Sequence, residues 1–305
     1  MSEFFEALQQ PEFGFLRIAL LTGALASVAC GVVGSYVVVR RISYLAGGIA
    51  HCVLGGLGAA QYLAVAHGWK YWTPLQGWQP LHPMIGAVAA ALLAAIIIGL
   101  VSLRAKQRED TVIGALWALG MAVGVLFIAK TPGRPLDLMG YLFGNVLMVS
   151  RQDLWLLIGL DILAVGGGLL FYNQFLAVCF DDEFARLRGL RGDLFYILLL
   201  CLTALTVVLL VSVVGIVLVI ALLTLPVAIA GHFCRTLWQM MVLAAVLSAL
   251  FTSAGLALSY GPGLPTGATT IVLAASVYVV VVLGARILPH VRGTPAAELP
   301  GAARA

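Results

Sequence analysis

Two ionisable side chains lie inside long apolar runs, and a third group of charges sits in the only long polar stretch between such runs. His51, in SYLAGGIAHCVLGGLGAA, follows Arg41 by about ten residues, roughly 15 Å of helical rise. A neutral imidazole there suits zinc and similar borderline divalent ions, and it can equally bond across to a neighbouring helix. Asp161, in LWLLIGLDILAVGGGLL, is the one carboxylate within an otherwise apolar span. A charge at the middle of a membrane helix costs about 2.5–3.5 kcal/mol on insertion scales, so such a group faces a cavity or a partner. That makes Asp161 a candidate metal or proton group, unless it lies near the outer edge of its helix. The polar stretch, Phe180–Asp193, reads FDDEFARLRGLRGD. Its acidic residues (Asp181, Asp182, Glu183) precede its basic ones (Arg186, Arg188, Arg191), and Gly189 follows, the charge order of a short helix aligned with its own dipole. Such a segment is either a solvated turn or a docking helix whose Phe184, Ala185 and Leu187 enter a groove on a soluble partner.

The elements that must hold these residues are membrane helices. Of 305 residues, 62% are hydrophobic and 10% charged, whereas soluble chains average about 45–50% and about 25%. Apolar runs recur near 15–39, 44–66, 83–103, 111–129, 154–176, 194–211, 213–230, 238–258 and 267–285. A span needs about 20 apolar residues, and uninterrupted Leu, Val, Ala and Ile exclude the alternation of barrel strands. The predicted class is all-α, a polytopic bundle of about 8–9 transmembrane helices. The 194–211 and 213–230 runs meet without a polar turn, so a hairpin competes with one long helix broken near Ser212. Segment 136–150 is too short to cross and reads as a re-entrant or interfacial half-helix.

Twelve of the 17 Lys and Arg residues, among them Arg40, Arg41, Arg104, Arg186 and Arg235, fall on one set of alternate loops. The positive-inside rule makes that set cytoplasmic, with the N-terminus outside and the C-terminus inside. Residues 1–14 are then an extracytoplasmic N-terminal segment, uncleaved because acidic residues replace a basic signal region, and 289–305 a flexible cytoplasmic tail. The aromatic loop 67–83 belongs to the outer face. His67 and His82 flank it, and Glu109 and Asp110 open the next inner helix, where they suit its dipole. Glycines at 47, 48, 55, 56 and 58, and at 166 to 168, form small-residue stripes for close helix packing.

No GxxxxGK[ST] phosphate loop, HExxH or serine–histidine arrangement is present, so the chain is expected to have no catalytic residues, bind no cofactor and draw ATP energy from a partner. Its cysteines show no CxxC spacing. Nucleic acid is not implied; membrane lipid is.

Five segments in order, VVRRISYLAGGIAHCVLGGLGAA, EDTVIGALWALGMAVGVLF, LDLMGYLFGNVL, FDDEFARLRGL and VVGIVLVIALLTLPVAIA, resemble the permease subunits of bacterial ABC importers for zinc, manganese and related metals. The similarity covers roughly residues 15–288. It implies the fold of an ABC importer permease in the bacterial inner membrane, a permease homodimer, two separate ATP-binding subunits and an extracytoplasmic metal-binding protein. It also implies that Asp182, Glu183, Ala185, Arg186 and Gly189, within 180–193, form the cytoplasmic coupling helix, whose family pattern is Asp/Glu-x-Ala-x-x-x-Gly. The family places an Asp-x-x-x-His pair on the second helix. His51 matches its histidine, and Gly47 stands at the aspartate position. The expected cargo is Zn2+ or Mn2+, with zinc ahead because manganese leans more on oxygen ligands. The alternative is a self-sufficient metal/proton carrier or channel using His51 and Asp161 and needing no docking helix.

Overall fold

The structure, a computed structural model, describes residues 14–73, 77–105, 109–133 and 151–287. The expectations for 1–13, 136–150 and 289–305 fall outside the described residues. Within them the chain forms α1 (Gly14–Val39), α2 (Ser43–Ala66), a hairpin of β1 (Lys70–Thr73) and β2 (Gly77–Pro80), α3 (Pro83–Ala105), α4 (Glu109–Lys130) and α5 (Arg151–Leu170). It continues with α6 (Tyr172–Phe180), α7 (Asp182–Leu187), α8 (Gly192–Val214), α9 (Ile216–Phe233), α10 (Leu237–Tyr260) and α11 (Thr266–Ile287). Among the described residues eight helices are long and apolar enough to cross a bilayer, and α5 with α6, bent by 68° at their break, forms either a ninth, broken span or a re-entrant pair. The hairpin is, among the described residues, the one departure from an all-helical chain. Its register sets Trp72 opposite Trp78, and aromatic pairs of this kind stabilise a two-stranded ribbon.

The abrupt α8–α9 junction is a hairpin. Gly215 alone separates the two helices, at φ 83 and ψ 161, a backbone shape that a residue with a Cβ rarely adopts. Val214 and Leu218, on either side of it, both reach the cavity lined by Ala19, Leu20 and Gly23 of α1. Further along α9, Leu223 and Val227 lie against Gly34, and Val227 and Ala230 pack with Val38 and Val39. Thus α9 runs back alongside α1. It continues through Pro226 to Phe233.

Glycine sets the distance between α2 and its neighbours. A Cβ on Gly55 would stand 2.9 Å from the Gly120 carbonyl oxygen, and one on Gly58 would stand 2.8 Å from that of Gly124. On another side of α2, Gly56 and Gly86 of α3 are in still closer mutual contact. Packing drives helix association in lipid, so these seams fix how α4 and α3 lie on α2. In α5 the stripe is shorter than expected. Gly168 is crowded by Val32 and Gly167 by Leu202, while Gly166 faces open space.

Two helix ends at the same end of the bundle share one design. At the end of α1, Arg41 N–H donates to Val38 O and Ile42 N–H to Val37 O, each at 3.0 Å. At the end of α7, Gly189 N–H donates to Arg186 O at 2.9 Å and Leu190 N–H to Ala185 O at 3.1 Å. Both are Schellman turns with a left-handed residue after the cap, Arg41 at φ 62 and Gly189 at φ 79. Glycine takes that conformation freely. For an arginine it costs about 1–2 kcal/mol, and Arg41 adds a positive charge at this end of the bundle.

Candidate functional site

His51 sits on α2 within the α2–α4 seam, between the close approaches at Gly48 and Gly55. Its side chain is 8% exposed and lies flat against the indole of Trp117 on α4, ring centroids 4.3 Å apart and planes 16° apart. Tyr44, two turns earlier on α2, approaches the other part of the same indole at 5.7 Å. The backbone contacts of Gly55 and Gly58 with α4 are what bring Trp117 over this face. His51 Nδ1 finds no hydrogen-bond partner among the described residues. An imidazole nitrogen buried without a partner is held at a cost of about 1–3 kcal/mol, which a structural histidine bonded across helices would not incur.

Trp117 also accounts for Gly47. A Cβ at position 47 would come within 3.3 Å of Ile220 Cδ1 and 3.4 Å of Trp117 Cζ3, so these two side chains occupy the volume that a longer residue would need. A carboxylate there would crowd the Ile220 methyl and the edge of the indole. The sequence reading missed Trp117; the signal was its position as the single aromatic residue between Glu109 and Leu126. Cys52, adjacent to His51, points its thiol at the α4 backbone, Sγ donating to Leu116 O at 3.3 Å. No group of three or more His, Cys, Asp and Glu side chains comes together among the described residues.

Asp161 is not part of that arrangement. It is 7% exposed, and its Oδ1 also lacks a partner among the described residues. It lies on α5, which packs on α1 and α8, whereas α2 packs on α3, α4, α8 and α9. The two residues that the carrier alternative required as a pair therefore stand on helices that are not among each other's principal neighbours. Among the other histidines, His232 Nδ1 lies 2.8 Å from Ala228 O, a bond one turn back, and His82 Nδ1 accepts from Met84 N–H at 3.3 Å.

The segment read as a coupling helix is helical over Asp182–Leu187. Ala185, expected to reach outward into a partner, is instead fully buried, because α7 lies against the bundle on that small side chain while the Ala185 carbonyl receives the closing turn. Leu187 and Phe180 are the exposed apolar residues at 87% and 70%. Arg186 pairs with Asp193, at the start of α8, at 2.7 Å. Beside them opens a cleft of about 310 Å³ lined by Arg186, Leu190, Arg191, Gly192, Asp193 and Leu194. The side chains of Asp182, Glu183 and Phe184 lie outside the described part. The pattern Glu183, Ala185, Gly189 thus has a local reason at two of its three places: a small residue beneath the helix and a left-handed one closing it.

The sequence profile of the ABC 3 transport family matches residues 12–285. The chain belongs to that family. ABC 3 permeases are the membrane subunits of ABC transport systems and not their ATPases, which replaces the alternative of a self-sufficient carrier. A probable metal transport system membrane protein of Chlamydia trachomatis is 38% identical over 260 residues, 85% of this chain and 85% of its own length. The manganese import system permease protein ScaB of Streptococcus parasanguinis is 31% identical over 278 residues, 91% of this chain and 92% of its own. Among solved structures, PsaBC from Streptococcus pneumoniae in complex with Fab contains a chain with 29% identity and a TM-score of 0.77, covering 92% of this chain and 94% of that one. The fold and the role as the membrane permease of an ABC metal transport system stand on these likenesses.

Proposed function

We propose that this ABC 3 permease carries a divalent first-row transition ion inward past His51, driven by an ATPase that docks on α7. The observation that carries the reading is the His51 imidazole, buried on α2 with Nδ1 unpaired beneath the Trp117 ring. An unpaired imidazole nitrogen can take a transient metal bond, and a site with few ligands releases what it binds. Manganese is the first ion to test, because similar permeases carry that name. Zinc is the second reading, favoured by an imidazole without the family carboxylate, since manganese leans more on oxygen.

In the assembled transporter two copies of this chain form the passage, two ATP-binding subunits sit on the α7 faces, and an extracytoplasmic metal-binding protein delivers the ion. Arg40, Arg41, Arg104, Arg186 and Arg235 gather at helix ends on the α7 side, which supports a cytoplasmic α7 and C-terminus in a bacterial inner membrane. The three exposed tryptophans of the hairpin region, Trp69, Trp72 and Trp78, suit the opposite interface.

The test is uptake of manganese and of zinc by cells whose own permease is replaced by wild type or His51→Ala. A drop of tenfold or more in one ion, with the protein still present in the membrane, is expected. Unchanged accumulation of both ions would remove His51 from the passage.

A further inference from the structure

The joint between α1, α6 and α8 holds a set of polar contacts that transport of the ion through α2 does not use. Helix α5 breaks at Phe171, and the Gly168 carbonyl, which would have accepted from residue 172 in a continuous helix, instead accepts from Tyr36 Oη of α1 at 2.8 Å. Helix α6 then ends at Phe180, leaving its last carbonyls without helical partners. One of them, Val178 O, accepts from Arg40 Nη1 at 2.9 Å. A guanidinium at a helix C-terminus is also favoured by the helix dipole. The same guanidinium lies over the ring of Tyr196 on α8, 5.4 Å from its centroid. Between these contacts Phe175 is fully buried, edge-on to Tyr36 at 5.4 Å.

Arg40 therefore touches the last turn before α7 and the first turns of the helix after it. Its backbone is held by the Schellman turn that closes α1. By contrast, the Arg186–Asp193 pair, which also ties α7 to α8, is more than half exposed on both sides and so constrains little. From α1 the contact continues. Gly34 rests against Leu223 O and Val227 of α9, and Ile220 of α9 rests against Gly47 of α2, one turn from His51.

Resting on the reading of α7 as the docking helix, we infer that Arg40 is a positioning residue that converts a displacement of α7 into a displacement of α1, and through α9 into a change at His51. Coupling between distant sites is carried by packed side chains, hydrogen bonds and rigid elements that have two discrete arrangements. Arg40 brings a charged group to these joints, and it gathers α1, α6 and α8 at a single point.

The experiment compares wild type, Arg40→Gln, Arg40→Lys and Tyr36→Phe in the complete transporter, permease with its ATP-binding subunits and binding protein, reconstituted in liposomes. Three quantities are read: ATPase subunits retained per permease, phosphate released, and manganese or zinc taken up. Arg40→Gln is expected to retain its ATPase subunits and hydrolyse ATP within about twofold of wild type, while ions moved per ATP fall at least tenfold. Arg40→Lys keeps a donor for Val178 O and should recover half or more of that ratio. Tyr36→Phe removes only a hydroxyl from the same joint, folds if Arg40→Gln does not, and should lower the ratio about threefold. A wild-type ratio in Arg40→Gln or in Tyr36→Phe would overturn the inference, as would loss of the ATPase subunits from Arg40→Gln, which would make Arg40 part of the docking surface. Docking itself is read separately with Ala185→Arg: a permease that still retains its ATPase subunits would sink that reading, whatever the Arg40 variants do.

Discussion

His51 and Asp161 are buried almost equally, at 8% and 7% exposure, and each keeps one polar atom without a partner among the described residues. Their surroundings have little else in common. Around His51 every residue of α2 from Leu45 to Gly58 is buried, and neighbouring helices close on it from several sides. Around Asp161 the next two residues, Ile162 and Leu163, are 67% and 53% exposed, and Trp155 is 74% exposed. One group is enclosed by protein; the other lies on a narrow inward stripe with Leu157, Ala164 and Gly168, on a helix whose other faces look outward. Burial with an orphaned atom is therefore a weak sign of a passage by itself. The stronger sign is what covers the atom: for His51 it is the indole of Trp117, held by a glycine seam, and a side chain can swing where a helix backbone cannot.

The seam offers the largest way to break this contrast. Gly55→Leu drives a side chain into the Gly120 carbonyl and must push α4 off α2. Overpacking of this kind costs about 1–3 kcal/mol or more, and the expected result is a permease that unfolds at lower temperature in detergent and takes up no metal. Gly166→Ala in α5 is the matching control, since a Cβ there meets nothing within 4 Å; alanine's better helix propensity should leave stability unchanged or raised by up to about 1 kcal/mol. Equal damage from both substitutions would show that the two helices are packed alike and that the contrast is only apparent.

A smaller, chemical effect is expected from exchanging what covers His51. Trp117→Ala opens the space beside Gly47, and Gly47→Asp in that background sets a carboxylate one helical turn from His51. Oxygen ligands favour manganese over zinc more than imidazole does. Uptake by the double variant should shift several-fold toward manganese in competition between the two ions. Gly47→Asp alone should instead be poorly accommodated, because the indole fills the volume. If the single variant folds and transports as well as wild type, Trp117 is not the occupant of the missing carboxylate's place.

Much of the fold was legible because membrane helices announce themselves by length and hydropathy: seven of the nine apolar runs each lie within one helix, while 154–176 crosses the break at Phe171 and 213–230 crosses Gly215. The α8–α9 turn was harder to read, since Gly215 reverses the chain with one residue and no polar loop. The small hairpin was missed because Trp69, Trp72 and Trp78 suggest an interface as readily as they suggest strands. At the site, His51 and Asp161 stood out as ionisable groups in apolar runs, while Trp117 did not, because an aromatic residue in a membrane helix looks like any other large side chain until its partner across the seam is known. Ala185 was assigned to the outer surface on the pattern of its neighbours. It faces inward because a six-residue helix lying on a bundle must put its smallest side chain underneath. Arg40 read only as a topology charge, since its contact with Val178 spans 138 positions, a separation no local pattern encodes.

Asp161 provides the smallest effect and the cleanest test of the contrast. Asp161→Asn preserves shape and hydrogen-bonding capacity while removing any charge and any titrating proton. If Asp161 is a structural position on α5, uptake should stay within twofold of wild type over the whole working pH range. Asp161→Leu should then stabilise the permease by about 1–3 kcal/mol, the usual cost of a buried polar group left unpaired. The measurement is metal uptake as a function of external pH for both variants, beside their unfolding midpoints in detergent. A tenfold loss in Asp161→Asn, or a pH dependence present in wild type and absent from the variant, would place a working carboxylate on α5 and dissolve the distinction drawn between the two residues. The expectation of no loss rests on the neighbours: the next two positions along α5 face outward, so an ion at Asp161 would have few further protein groups along that helix to pass to.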